Sequence, residues 1–252
     1  MTTFARPSKM HCKFRFCCHP SLQKILGLGF LGLLGCQSSI TPNADTSIPP
    51  SRQEVSLELR TLLGALQIEI PVYNDIDAEP VFTEEDGNII VEVLSNSEYT
   101  IIAQDENTWP HRYTGIVAEQ DFGLIGYMTT KDDWINTLAV FQISPALERG
   151  TLFVEILDGA YHPMVGATAS VNVAYDMAFT LNQTSYPWES HSILENGHPI
   201  IFFANVALGD VTITVQADGH ECHPFPAGTS SEFQTGIYGN TITSVRYQCL
   251  PE

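Results

Sequence analysis

Four residues, His220-Glu221-Cys222-His223, place two nitrogen donors and one sulfur donor within a short span. That donor set suits zinc, provided Cys222 is a thiolate. His191 and His198 stand upstream in the same half of the chain. Structural or solvent histidines are the favoured account of the pattern, and a disulfide at Cys222 would remove the thiolate, so no metal site is expected here. Two acidic runs, Asn74-Asp75-Ile76-Asp77-Ala78-Glu79 and Glu84-Glu85-Asp86-Gly87-Asn88, gather oxygens near turns. Calcium takes six to eight oxygens, yet neither run has EF-hand spacing, and a solvated acidic face explains both. The chain has no Gly-x-Ser-x-Gly elbow, no His-Glu-x-x-His and no His-x-x-Glu. Serine hydrolysis and zinc peptidase chemistry therefore lack their motifs. The expectation is a non-catalytic protein with no cofactor, the alternative being a metal-binding or enzymatic envelope protein that uses His220 and His223.

Aromatic residues in loops suggest binding instead. The stretch LNQTSYPWESHSILENGH (181–198) is long for a hairpin connection and carries Tyr186, Trp188, His191 and Glu195. Long loops are often functional. Trp109, His111 and Tyr113 follow a strand in the other half. Exposed Trp and Tyr rings stack on sugars, so Tyr186, Trp188, His191 and Trp109 are the candidate ligand-binding residues, for a glycan or a protein. The competing reading, that Trp109 and Trp188 fold back to cap a sandwich end, is the favoured one.

The elements that must position these residues are short strands. Apolar and β-branched runs occur at 66–73, 88–93, 99–103, 151–157, 200–206 and 211–217, separated by Gly, Asn and Asp. Val211, Ile213 and Val215 alternate with Thr212 and Thr214. This spacing predicts antiparallel β-sandwiches. One segment differs: Thr130 and Asp133 form a variant capping box, and Trp134, Leu138 and Phe141 follow at helical spacing. A short amphipathic helix over 131–142 is expected, docked on a core. A weak internal repeat aligns Gly87 with Gly197 and Tyr99 with Val211. Gly87, Gly197 and Gly209 are expected to supply positive φ at turns.

Five basic residues (Arg6, Lys9, Lys13, Arg15 and Lys24) precede the apolar run Ile25–Gly35. This reads as a secretory signal, too short to span a bilayer. Its end, Leu33-Leu34-Gly35-Cys36, resembles the lipobox of bacterial lipoproteins. The resemblance implies cleavage after residue 35, lipidation of Cys36 and, with Gln37 next, the outer membrane of a Gram-negative cell. Residues 36–53 then form a Ser/Thr/Pro-rich tether. Cys12, Cys17 and Cys18 leave with the leader, so only Cys222 and Cys249 remain free to pair in an oxidising compartment. A Cys222–Cys249 disulfide is expected.

The second half is similar to a carboxypeptidase regulatory-like domain, the small transthyretin-like β-sandwich. The residues that carry this are TLFVEILDG (151–159), Pro163 through Gly166-Ala167 to Val171, Asn196-Gly197, Phe203-Ala204-Asn205-Val206, Leu208-Gly209-Asp210 and VTITVQADGH (211–220). His220 departs from the usual Tyr or Phe. The first half matches more weakly, over 81–115. The resemblance implies two tandem Greek-key sandwiches, at 54–145 and 146–252, and an accessory rather than a catalytic role.

The chain has 252 residues, 44% hydrophobic, with 11 Lys+Arg and 29 Asp+Glu. It can bury a core. Removal of residues 1–35 takes five basic residues and no acidic one, and the charge moves from −18 to −23. So acidic a surface excludes nucleic acid as a partner, because phosphate binding needs clustered Lys and Arg. Membrane contact is expected through the lipid alone.

Overall fold

The computed structural model describes residues 51–62, 69–77, 79–84, 87–95, 97–117, 120–226 and 228–252. The leader, Cys36 and the tether up to residue 50 lie outside the described residues. In chain order the elements are β1 (Arg52–Thr61), β2 (Pro71–Asn74), β3 (Val81–Phe82), β4 (Asn88–Leu94), β5 (Glu98–Ala103), β6 (His111–Ile116), β7 (Phe122–Met128), α1 (Lys131–Ala139), β8 (Gly150–Asp158), β9 (Thr168–Val171), β10 (Met177–Asn182), β11 (Pro187–Glu189), β12 (Gly197–Val206), β13 (Gly209–Gln216), β14 (His220–Pro224), β15 (Glu232–Ile237) and β16 (Ile242–Pro251). The described residues are all-β apart from one helix, as the chain's alternation predicts.

Alternating burial builds the layers. A ten-stranded sheet runs β11-β10-β12-β8-β16-β6-β5-β2-β3, with β14 paired to β16 as well. At one end, β4-β1-β7 faces it. Val55, Leu57, Val91 and Leu124 meet Val72, Ile101 and Tyr113 in the core between them. Farther along, β15-β13-β9 faces the same sheet. Val211, Ile213 and Phe233 there meet Leu152, Val154, Ile156 and Tyr247. The sandwich expectation holds, with a mixed hydrogen-bond pattern: β1–β7, β16–β6 and β16–β8 are parallel.

β8 is buried on both faces. Leu152, Val154 and Ile156 point into the core under β13, while Phe153 joins a third core with Phe179, Phe202, Trp134 and Leu138. The helix α1 closes that third core, as its apolar stripe predicts. Thr130 caps it, accepting from the Asp133 N–H at 3.1 Å. The helix ends at Ala139, three residues before the expected end, and Gln142 then adopts φ 60°. Phe141 still packs on the third core from beyond the helix.

The expected division near residue 145 falls between α1 and β8, and the core under β1 also takes in Phe225 from beyond it. The β6–β16 ladder and the third core cross that position, and all described residues belong to one compact unit. Asn205 holds the crossing segment: its side chain accepts from the Ala146 N–H and donates to the Ser144 carbonyl, both at 2.9 Å. At both aligned segments, β4 to β5 and β12 to β13, the chain passes from one sheet to another. Gly87 and Gly209 do adopt positive φ, at 81° and 109°. Gly197 does not. There a Cβ would stand 3.0 Å from the Leu181 carbonyl oxygen and 3.1 Å from the Leu194 Cβ, so close packing rather than a turn requires glycine.

Candidate functional site

The cysteines behave as their count predicts. Cys222 and Cys249 are bonded, at facing positions of β14 and β16. Cys222 is therefore unavailable as a metal ligand. His220 Nδ1 lies 2.8 Å from the Asp218 carbonyl, and His223 Nε2 lies 3.5 Å from Glu221. Among the described residues no group of three or more His, Cys, Asp or Glu side chains is placed to hold a metal ion. In the first acidic run, Asn74 Oδ1 accepts from the N–H groups of Ile76 and Asp77, which makes that stretch a local turn.

The aromatic candidates separate. Trp188 and Tyr186 are 60% and 53% exposed, on and beside the edge strand β11. The favoured expectation that Trp188 caps a sandwich end is thus corrected: on the edge strand β11 its side chain stays open to solvent. Trp109 does fold back, half-buried against the third core. His191 is exposed and sits edge-on to Tyr175 and Phe203 at 6.0 and 6.3 Å. The four residues do not share one described cavity.

A different site lies where the edge of β7 passes over the second face of β8 and β16. On that face the parallel register sets Glu155 of β8 beside Arg246 of β16. Their side chains are 9% and 7% exposed. Arg246 Nε donates to Glu155 Oε2 at 2.5 Å, and Nη2 donates to the Ile125 carbonyl of β7 at 2.9 Å. The guanidinium also lies over the Phe225 ring, 5.6 Å from its centroid. Burial raises the Glu155 carboxyl above its ordinary range, partly countered by Arg246. A buried charge is costly unless paired, so this pair is a built feature of the seam between sheets.

Above the pair opens a groove of about 770 Å³. Its walls include Phe122, Tyr127, Tyr161 and Phe225, and its rim carries Asp121 and the Glu58–Arg60 pair. Arg60 donates to both Glu58 oxygens, at 2.7 and 3.0 Å. Behind the pair a cavity of about 30 Å³, room for about one water, reaches the buried Ser244 Oγ. Tyr113 donates its hydroxyl to the Tyr127 carbonyl at 3.1 Å. Gly126 permits this approach, because a Cβ there would stand 2.7 Å from the Tyr113 ring.

Tyr161 stands on the rim, 57% exposed, at φ 64°. Left-handed backbone costs a tyrosine about 1–2 kcal/mol. The turn that enforces it is tightly bonded: Asp158 Oδ1 accepts from the N–H groups of Ala160 and His162, each at 2.8 Å. These bonds hold the Asp158 carboxyl below its ordinary range. Strain of this kind concentrates at functional sites. Sequence reasoning passed over this groove, although a Glu within LFVEIL and an Arg within TSVRYQC were signals of charge inside apolar strands.

No family model matches the chain, and no curated protein matches it. Among solved structures it is similar to the minor pilin of Streptococcus agalactiae, with 10% identity over 79% of this chain and 96% of that one, at a TM-score of 0.28. The Bacillus anthracis TIE protein gives 12% identity over 80% and 34%, at 0.25. The shaft pilin of Lactobacillus rhamnosus GG gives 9% identity over 80% and 98%, at 0.23. Scores this low fix no common topology, and the function is argued from this chain's own residues.

Proposed function

We propose that this protein is a non-catalytic envelope lipoprotein, held by a lipid on Cys36 and presenting residues 54–252 as a binding module. The observation that carries the reading is the Cys222–Cys249 bond. Those are the two cysteines left after a secretory leader and a lipidated Cys36 are subtracted, and a bonded pair belongs in an oxidising compartment. The basic leader and Leu33-Leu34-Gly35-Cys36 support the anchor, and Gln37 supports the outer membrane of a Gram-negative cell. The resemblance of the second half to a carboxypeptidase regulatory-like domain supports an accessory role. Electrostatics supports a lipid tether over surface adsorption, since a −23 module is repelled by anionic headgroups.

Fractionation of cells making the full chain tests the anchor. Wild type is expected with the membranes and Cys36→Ala in the soluble fraction. Cys36→Ala remaining in the membrane would overturn the reading. A second reading places glycan or protein binding on the 181–198 hairpin, favoured by the exposure of Trp188 and Tyr186. Trp188→Ala then abolishes binding while leaving stability unchanged.

A further inference from the structure

The groove over Glu155 and Arg246 refines the binding-module reading and rests on it. We propose that this groove binds a neutral saccharide, with the Glu155–Arg246 pair holding adjacent hydroxyls on its floor and Tyr161 covering a ring face.

The floor defines the polar chemistry. Arg246 spends Nε on Glu155 and Nη2 on the Ile125 carbonyl. Arg246 Nη1 and Glu155 Oε1 make no hydrogen bond to other described residues. One rigid pair therefore leaves one guanidinium amino group and one carboxylate oxygen unspent among the groove's lining residues. A vicinal diol answers both, since each hydroxyl donates and accepts. Packing on Phe225 and the bond to β7 fix the guanidinium beforehand, so little freedom is lost on binding.

Charge selects against anions. An anion entering the groove meets Glu155, Glu58 and Asp121, against two guanidiniums that already pair with a carboxylate within the protein. A hydroxyl-rich ligand is matched instead by the hydrogen-bonding atoms of the floor.

The walls define the apolar chemistry. Tyr127, Phe122, Phe225 and Tyr161 present rings to a space whose size suits a small ligand. Tyr161 is 57% exposed on the strained turn, and its ring meets the Phe225 ring edge-on at 6.1 Å, which fixes it beside the groove. An extended peptide is disfavoured because it would bind by adding a strand to β7. Two carbonyls that β7 turns away from β1, on Ile125 and Tyr127, are already occupied by Arg246 and Tyr113.

The test uses detergent-solubilised mature protein on arrayed maltotetraose, cellotetraose and chitotriose, beside uronate oligomers and uncharged peptides. Wild type is expected to bind at least one neutral oligosaccharide. Tyr161→Gly suits the left-handed backbone, so it should keep the wild-type melting temperature while affinity drops about tenfold. Glu155→Gln should lose binding too, and Trp188→Ala should retain it. Failure to bind any neutral oligosaccharide overturns the proposal, as does preference for uronates or peptides. Undiminished binding by Tyr161→Gly, or loss with Trp188→Ala alone, also overturns it. The fractionation of Cys36→Ala decides the envelope reading separately, whichever ligand the array returns.

Discussion

Truncating Glu155 to Ala takes away the carboxylate beneath a guanidinium that is only 7% exposed. Arg246 keeps its bond to the Ile125 carbonyl but loses its charged partner. An unpaired charge at such burial costs about 3–5 kcal/mol. For a unit of this size each kcal/mol lowers the melting temperature by roughly 2–4 °C, so the midpoint should fall by about 10 °C. Replacing both residues with Met removes the charges together and strands only the Ile125 carbonyl, at a cost of about 1–3 kcal/mol. The double variant should thus be more stable than Glu155→Ala. Urea unfolding at pH 7 of wild type, Glu155→Met, Arg246→Met and the double variant closes the cycle, with Glu155→Ala measured beside it. A loss under about 1 kcal/mol in Glu155→Ala, the value for an exposed pair, would refute the reasoning. So would a double variant as unstable as Glu155→Ala.

Other expectations follow from particular residues. His111 is fully buried, and burial lowers its pKa to about 4. The folded state therefore holds the neutral ring while the unfolded chain protonates near pH 6.5, so stability falls as pH drops from 6.5 to 4, by about 3 kcal/mol. Thermal unfolding from pH 7.5 to 4 should show that loss, and His111→Gln should abolish it. The disulfide closes 27 residues, so Cys222→Ala/Cys249→Ala should cost roughly 3–4 kcal/mol in chemical denaturation. Thr130→Ala removes the hydroxyl that caps α1 and should cost about 1 kcal/mol, read by the urea midpoint. Trp188→Ala at its exposed edge should change stability by less than about 0.5 kcal/mol in the same assay.

Local chemistry was readable in the sequence, and long-range pairing was not. The capping Thr130, the stripe of Trp134 and Leu138, and the 211–217 alternation each depend on neighbours within a few residues, and each appears in the structure. The cysteine pair follows from counting. β8 concealed its face pattern because both faces are covered, so TLFVEIL shows no alternation of apolar and polar residues. Glu155 therefore drew no notice: its partner Arg246 lies 91 residues away, brought alongside by parallel pairing that no local period encodes. The same limit explains the tryptophans. Trp109 and Trp188 look alike in sequence, and only the third core decides that one packs and the other faces outward.

The most direct test of the central claim is the mass of the N-terminal peptide of protein purified from membranes. A chain beginning at Cys36 and carrying a thioether-linked diacylglyceryl group is predicted. A mature chain that begins elsewhere, or that carries Cys36 without lipid, would contradict the account.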